Sequence, residues 1–203
     1  CMECQPVAVQ GNVANLDDVN IAISQSPRKI GGVIQLALEF EGKEPQQFPI
    51  PQDSVLHDMF YEDWQCPLAP KVHGTWNLHQ ALSSTPLDFF IMFDSNAGIH
   101  GSPSQANYAA ANTFLVGLAK YRHSLGQPAP VLGLGPTAEI DYVSRQPKLR
   151  RYFDSLGVRY VHEQGLLSVV HLLIKHSRDP ALLQNSAVQD PHHLSLGAIY
   201  KLR

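Results

Sequence analysis

Short apolar runs alternate with longer amphipathic ones along this chain, the pattern of β-α units built around a parallel sheet. Pro6 to Val13 reads as a strand, and Asn15-Leu16-Asp17-Asp18 caps a helix running to about Gln25. The next apolar run, Ile30 to Leu38, is nearly continuous in apolar and small residues from Gly31 to Ala37, so it is expected in the middle of the sheet with both faces covered. Asp53 to Leu82 carries an interrupted helical stripe through Val55, Leu56, Met59, Trp64, Leu68, Val72, Trp76 and Leu78. Asp88 to Phe93 is a buried strand ending at Asp94-Ser95, and Gln105 to Leu125 is an Ala-rich helix closed by Gly126 and Pro128. Ala129 to Pro136 is a strand whose small residues suit close approach by backbone or ligand. Thr137 to Val161 is polar and reads as a mobile flap with a short helix over Pro147 to Leu156. An amphipathic helix then opens at His162-Glu163-Gln164 and runs through Ile174.

One segment breaks the alternation. Residues 39–51 are polar and Pro-rich and read as an insertion, either a surface loop or a gene-model artefact such as an unspliced stretch. The expected organisation is one domain over residues 1–176 and a weakly structured tail over 177–203, with one strand at Leu194 to Tyr200. The length of 203 residues with 44% hydrophobic and 16% charged positions supports that single core and argues against two full domains. A net charge of -3 without a basic run argues against nucleic acid or an anionic membrane as partner. No run approaches the roughly 20 apolar residues of a spanning helix, and the opening residues lack the order of a signal peptide, so a soluble cytoplasmic protein is expected. Cys1, Cys4 and Cys66 form neither a disulfide framework nor a complete metal-ligand set.

Four polar residues stand out by order and spacing: Lys71, Ser95, Tyr108 and Asn112. Tyr108 and Asn112 are four apart in a predicted helix and share a face. Ser95 ends a predicted parallel strand, where ligands bind in open α/β sheets. Reduction of a ketone needs hydride at carbon, a proton at oxygen and donors that hold that oxygen. A phenol with a pKa near 10 is a sluggish acid until a neighbouring ammonium stabilises its anion. Singly, each residue has an ordinary explanation: an exposed helix Lys, a turn hydroxyl, a half-buried aromatic, a helix-face amide.

The run from Phe89 to Gly101, followed by Gln105-Ala106-Asn107-Tyr108-Ala109-Ala110-Ala111-Asn112, resembles the ketoreductase domain of modular and fungal polyketide synthases, a branch of the short-chain dehydrogenase/reductase superfamily. The likeness extends from about Val9 to Leu173. It implies a Rossmann-like α/β fold, NADPH as cofactor, and reduction of the β-keto group of a chain bound to an acyl carrier protein. It also implies the roles: Tyr108 gives the proton, Lys71 lowers its pKa, Ser95 holds the substrate oxygen, and Asn112 orients Lys71 or a water relay. Asn12 and Val13, Leu36 and Ala37, and Gly135 and Pro136 fall where the family lines its cofactor groove. Asp94 and His100 depart from the family pattern. Asp94 is expected to point away from Ser95 as a packing or hydrogen-bonding change, and His100 to sit on the pocket rim.

The family's Gly-rich strand-turn-helix for the pyrophosphate has no counterpart in the sequence, which begins at Cys1. A chain entering at the third strand of the sheet, with an exposed edge at Gly31 to Leu38 and impaired NADPH binding, is therefore expected. Three readings follow: a piece of a longer synthase working with its other domains, a product that no longer catalyses and serves as an interaction or structural module, or a small reductase completed by a partner's cofactor loop.

Overall fold

The computed structural model describes residues 5–38, 54–139, 147–155, 157–178 and 193–196. The expected insertion at 39–51 lies outside them. Helix α1, Leu16–Ser24, starts where predicted because the Asn15 side chain accepts from the amides of Asp17 and Asp18, with both carboxylates on the positive end of the helix. The strand predicted over Pro6 to Val13 is not formed. Among the described residues it has no neighbouring strand to complete a ladder, and Val13 is instead held against a later helix. Its carbonyl accepts from Asn77 Nδ2 at 3.1 Å.

Four strands, β1 (Gly32–Gln35), β2 (Phe89–Ser95), β3 (Val131–Leu134) and β4 (His193–Leu196), lie in that order and all pair in parallel. Among the described residues β1 is an edge strand, which corrects the expected central place and agrees with the exposed edge expected at Gly31 to Leu38. Its Val33 and Gln35 turn toward helices, whereas Ile34 and Leu36 are 48% and 61% exposed. The continuous apolar run signalled strand but not how many neighbours it has.

The helical stretch predicted from Asp53 begins later and is interrupted. Leu56–Asp58 is a 3-10 turn, and the Asp63 carboxylate accepts from the Phe60 amide at 3.1 Å, fixing the start of α2 (Tyr61–Leu68). A five-residue π turn, Ala69–His73, links α2 to α3 (Gly74–Ala81). Pro67 and Pro70 explain the widening: neither offers an amide hydrogen to the ladder, and each ring crowds the carbonyl one turn back. A short helix not anticipated from sequence, α4 (Ala97–His100), follows β2. Helix α5, Ala106–Ser124, ends where Gly126 takes a φ of +69°, the left-handed conformation a glycine tolerates. Helices α6 (Pro147–Ser155) and α7 (Glu163–His176) match the predicted pair.

The sheet is covered on both faces. Phe90 and Met92 of β2 pack with Leu115, Leu118 and Ala119 of α5, joined by Leu78 of α3 and Ile23 of α1. On the other face Ile91, Phe93 and Leu132 meet Leu173, Leu166, Val169 and Val170 of α7. This is the Rossmann-like α/β arrangement expected from the sequence. Among the described residues no helix is long and apolar enough to cross a membrane.

Candidate active site

Two features of local chain chemistry build the site at the carboxyl ends of β1, β2 and β3. Ser95 is the last residue of β2, and α4 follows at once. Gly98 lets α4 lie directly on α5: a Cβ there would stand 2.9 Å from the Asn112 Cβ. Asn112 is fully buried, and its Nδ2 donates to the Tyr108 backbone carbonyl at 2.8 Å. Its Oδ1 finds no hydrogen-bond donor among the described residues.

The second feature is the π turn, which brings a buried lysine to the same place. Lys71 is only 6% exposed, and its ammonium donates to the Phe93 carbonyl at 2.9 Å, one residue before Asp94 on β2. The same Nζ stands 5.7 Å from the centroid of the Tyr108 ring. The Tyr108 phenol in turn lies within reach of Ser95 and Asn112, both of which favour its anion. All four residues singled out in the sequence therefore meet at one point, contributed by the π turn, the end of β2 and the first half of α5.

Electrostatics depart from expectation in two respects. Burial lowers the Lys71 ammonium from 10.5 to about 8, partly countered by the Asp94 carboxylate. Burial also raises the Tyr108 phenol, opposed by hydrogen bonds from Ser95 and Asn112 and reinforced by Asp94. The phenol is therefore raised overall and not lowered as expected, because desolvation dominates. Asp94 alternates with Ser95 as predicted, but it shares the row of Phe90 and Met92, the face that α5 covers. Its field reaches both Lys71 and Tyr108, so it belongs to the electrostatics of this site. His100 lies exposed at the end of α4.

The residues assigned to a cofactor groove divide into two groups. Leu36 and Ala37 follow β1 and Gly135 and Pro136 follow β3, so the registers Gln35 with Met92 and Ser95 with Leu134 place them on either side of Ser95. Asn12 and Val13 are engaged with helices instead. Asn12 Oδ1 accepts from the Ala14 amide at 2.9 Å, its own amide donates to Asp18 at 2.8 Å, and a Cβ on Gly74 would stand 2.7 Å from Val13 Cγ1.

Asn107 was not anticipated. Pro67 cannot donate to the Asp63 carbonyl, and Asn107 Nδ2 does so instead at 2.7 Å while its Oδ1 accepts from the Tyr108 amide at 2.8 Å. This buried amide fixes the first turn of α5, and with it Tyr108, against α2. A proline inside a predicted helix was the available signal, since it orphans a carbonyl that something must satisfy.

Fold and site together define a Rossmann-like α/β protein of the short-chain dehydrogenase/reductase type, with a Ser, a Tyr and a Lys at the strand ends. More narrowly, the chain belongs to the KR domain family, whose model matches residues 1–139. It is 38% identical over 197 residues to the highly reducing polyketide synthase lcsB of Purpureocillium lilacinum, covering 97% of this chain and 7% of that protein. It is 37% identical over 182 residues to the highly reducing polyketide synthase pspA of Penicillium soppii, covering 88% of this chain and 7% of that one. The chain thus spans less than a tenth of the length of these relatives. In structure it superposes on A-type ketoreductases from a modular polyketide synthase with a TM-score of 0.72, 22% identity, and coverage of 82% of this chain and 33% of that one. A 3-oxoacyl-[acyl-carrier protein] reductase with bound NAD from Brucella melitensis gives a TM-score of 0.70 at 15% identity, covering 97% and 72% respectively. These structural likenesses show the fold.

Proposed function

We propose that the chain carries the reducing centre of a polyketide synthase ketoreductase, acting with NADPH on the β-keto group of an acyl chain held by an acyl carrier protein. The observation that carries this reading is the phenol of Tyr108 set between Ser95 and Asn112 with the Lys71 ammonium over its ring. A hydroxyl, a phenol and an ammonium are the donor set that a carbonyl under reduction requires. The strand ends beside it carry Ala37, Gly135 and Pro136, whose small or rigid side chains leave room for a flat ring. The family resemblance supports a nicotinamide binding there.

The nicotinamide, when bound, supplies hydride to the carbonyl carbon. Ser95 Oγ and the Tyr108 hydroxyl hold the carbonyl oxygen. Burial keeps the phenol protonated at neutral pH, so the proton is in place before charge develops. Tyr108 passes that proton to the oxygen, and Lys71, cationic below about pH 8, stabilises the phenolate left behind. Asn112 Oδ1, buried without a donor, is positioned to accept from a water that returns a proton to Tyr108. Leu36, Ala37, Gly135 and Pro136 would flank the nicotinamide ring.

The reading also includes a weak hold on the dinucleotide. This sequence carries no G-x-G-x-x-G cluster, the motif of a pyrophosphate-binding turn, so we assign it only the nicotinamide end. A second reading, a non-catalytic interaction module, draws on the same feature and on Ile34 and Leu36 exposed beside the β1 edge.

The test is oxidation of NADPH by the purified chain with a β-ketoacyl thioester, followed by the nicotinamide absorbance. The reductase reading expects slow turnover that Tyr108→Phe lowers by about two to four decades, the span of a lost general acid. Activity should hold through neutral pH and fall above about pH 8 as Lys71 loses its proton. No turnover at any NADPH concentration, with folded protein, favours the interaction module. Turnover unaffected by Tyr108→Phe removes the assigned chemistry.

A further inference from the structure

A buried lysine that burial drives toward neutrality should swing to water unless something holds its backbone. The turn that carries Lys71 is the least regular part of its helix, since Ala69–His73 is a π turn with Pro70 at its second residue. What fixes it comes from β1. Gln35, 5% exposed, donates from Nε2 to the Pro70 carbonyl at 2.9 Å and to Thr75 Oγ1 at 3.1 Å. Thr75, fully buried, donates its hydroxyl hydrogen to the Lys71 carbonyl. The Gln35 Oε1 accepts from the Ala37 amide at 3.2 Å.

The bookkeeping of donors is complete. A primary amide has two N–H donors and a carbonyl acceptor, and each of these three has a partner. The Thr75 oxygen accepts one hydrogen and gives its own. A carboxylate at position 35 would lose both donors, and an aliphatic side chain would leave the Pro70 carbonyl and the Thr75 oxygen without the Gln35 donor in the interior, which buried polar groups avoid. The chain of contacts runs from Ala37, on one side of the strand-end site, through Gln35 and Thr75 to Lys71 on the other.

We infer that Gln35 and Thr75 are positioning residues: they hold the π turn so that the Lys71 ammonium is directed at the Phe93 carbonyl and the Tyr108 ring. Their importance for reduction rests on the ketoreductase reading, but the position of the ammonium does not. The groups facing Lys71 are Asp94 on β2 and Tyr108 on α5, and neither touches Gln35 or Thr75 in the contacts described above. A change at position 35 or 75 therefore reports on the turn and not on a lost charge.

The experiment is a titration of the Lys71 side chain by NMR of carbon-13-labelled lysine in the full chain, with Lys71→Met used to assign the signal. In the unaltered protein the signal should titrate at about 8. In Gln35→Leu and in Thr75→Val it should move back toward 10.5 by at least about one pH unit, as the ammonium reaches water. Thr75→Ser, which keeps the hydroxyl, should stay at about 8. The comparison of Thr75→Val with Thr75→Ser decides the matter even where Gln35→Leu does not fold. If those two titrate alike, the inference is overturned. Absent turnover in the unaltered protein would count against the reductase reading while leaving this titration to stand on its own.

Discussion

The two faces of the sheet are built to different standards. The face under α1, α3 and α5 is tightly filled: Phe90, Met92, Leu115 and Ala119 are each no more than 1% exposed, and Arg122, itself 2% exposed, lies with its guanidinium 4.0 Å from the Phe90 ring centroid. Its Nη1 meets His79 Nδ1 at 2.8 Å, pinning α5 to α3. The opposite face has α7 over β2 and β3, but Leu167, Leu172 and Ile174 of that helix remain exposed, as do Ile34 of β1 and Leu36 just after it. Lys71, Tyr108 and Asn112 all come from elements on the tight side. Three of the four thus sit where packing can hold a buried cation, while Ser95, at the end of β2, alternates onto the row of Ile91 and Phe93.

This contrast can be broken by measuring stability on each face. The largest expected effect is at Leu115, where Leu115→Ala should cost about 2–5 kcal/mol in urea unfolding because Leu115 is buried within the core. Next comes Lys71→Met, which should stabilise the protein at pH 7. A displacement from 10.5 to about 8 is worth up to about 3 kcal/mol at 1.4 kcal/mol per unit. Between those two pH values the unfolded chain binds this proton and the native one does not, so stability of the unaltered protein rises with pH across that window. The advantage of Lys71→Met should therefore shrink from pH 8 upward and be gone by about pH 10.5. A smaller loss, near the low end of about 2 kcal/mol, is expected for Leu173→Ala, whose site opens toward solvent and can relax. Leu167→Ser, on the exposed side of α7, should change stability by less than about 0.5 kcal/mol. Equal losses for Leu115→Ala and Leu173→Ala would erase the distinction between the faces.

Much of this arrangement could be read from the residues. The segment from Lys71 to Asn112 carried the site because order and spacing survive folding: Ser95 ends its strand, and Tyr108 and Asn112 share a helix face. Asn15 marked a helix start through its own side chain, a local effect. What stayed hidden was non-local. Gln35 looked like one more residue of an apolar strand, and its meaning depends on a carbonyl 35 residues away. Pro67 and Pro70 announced disturbed helix, but not which amides would come to the freed carbonyls. The direction of the Tyr108 shift was likewise unreadable, since it emerges only once the packing is known that burial outweighs the contributions of Ser95 and Asn112. Pro6 to Val13 had the composition of a strand, and composition cannot say whether a neighbour exists for it.

The most direct test of the central claim, that Tyr108 with Ser95, Lys71 and Asn112 forms a reducing centre, is isotope transfer. NADPH carrying deuterium on the reactive carbon of its nicotinamide is incubated with the chain and a β-ketoacyl thioester, and the alcohol is analysed by mass spectrometry. This reading predicts one deuterium on the new carbinol carbon with the unaltered protein and its loss by about two to four decades with Tyr108→Phe. Deuterium incorporated at the same rate by Tyr108→Phe, or none incorporated by folded protein saturated with NADPH, would contradict it.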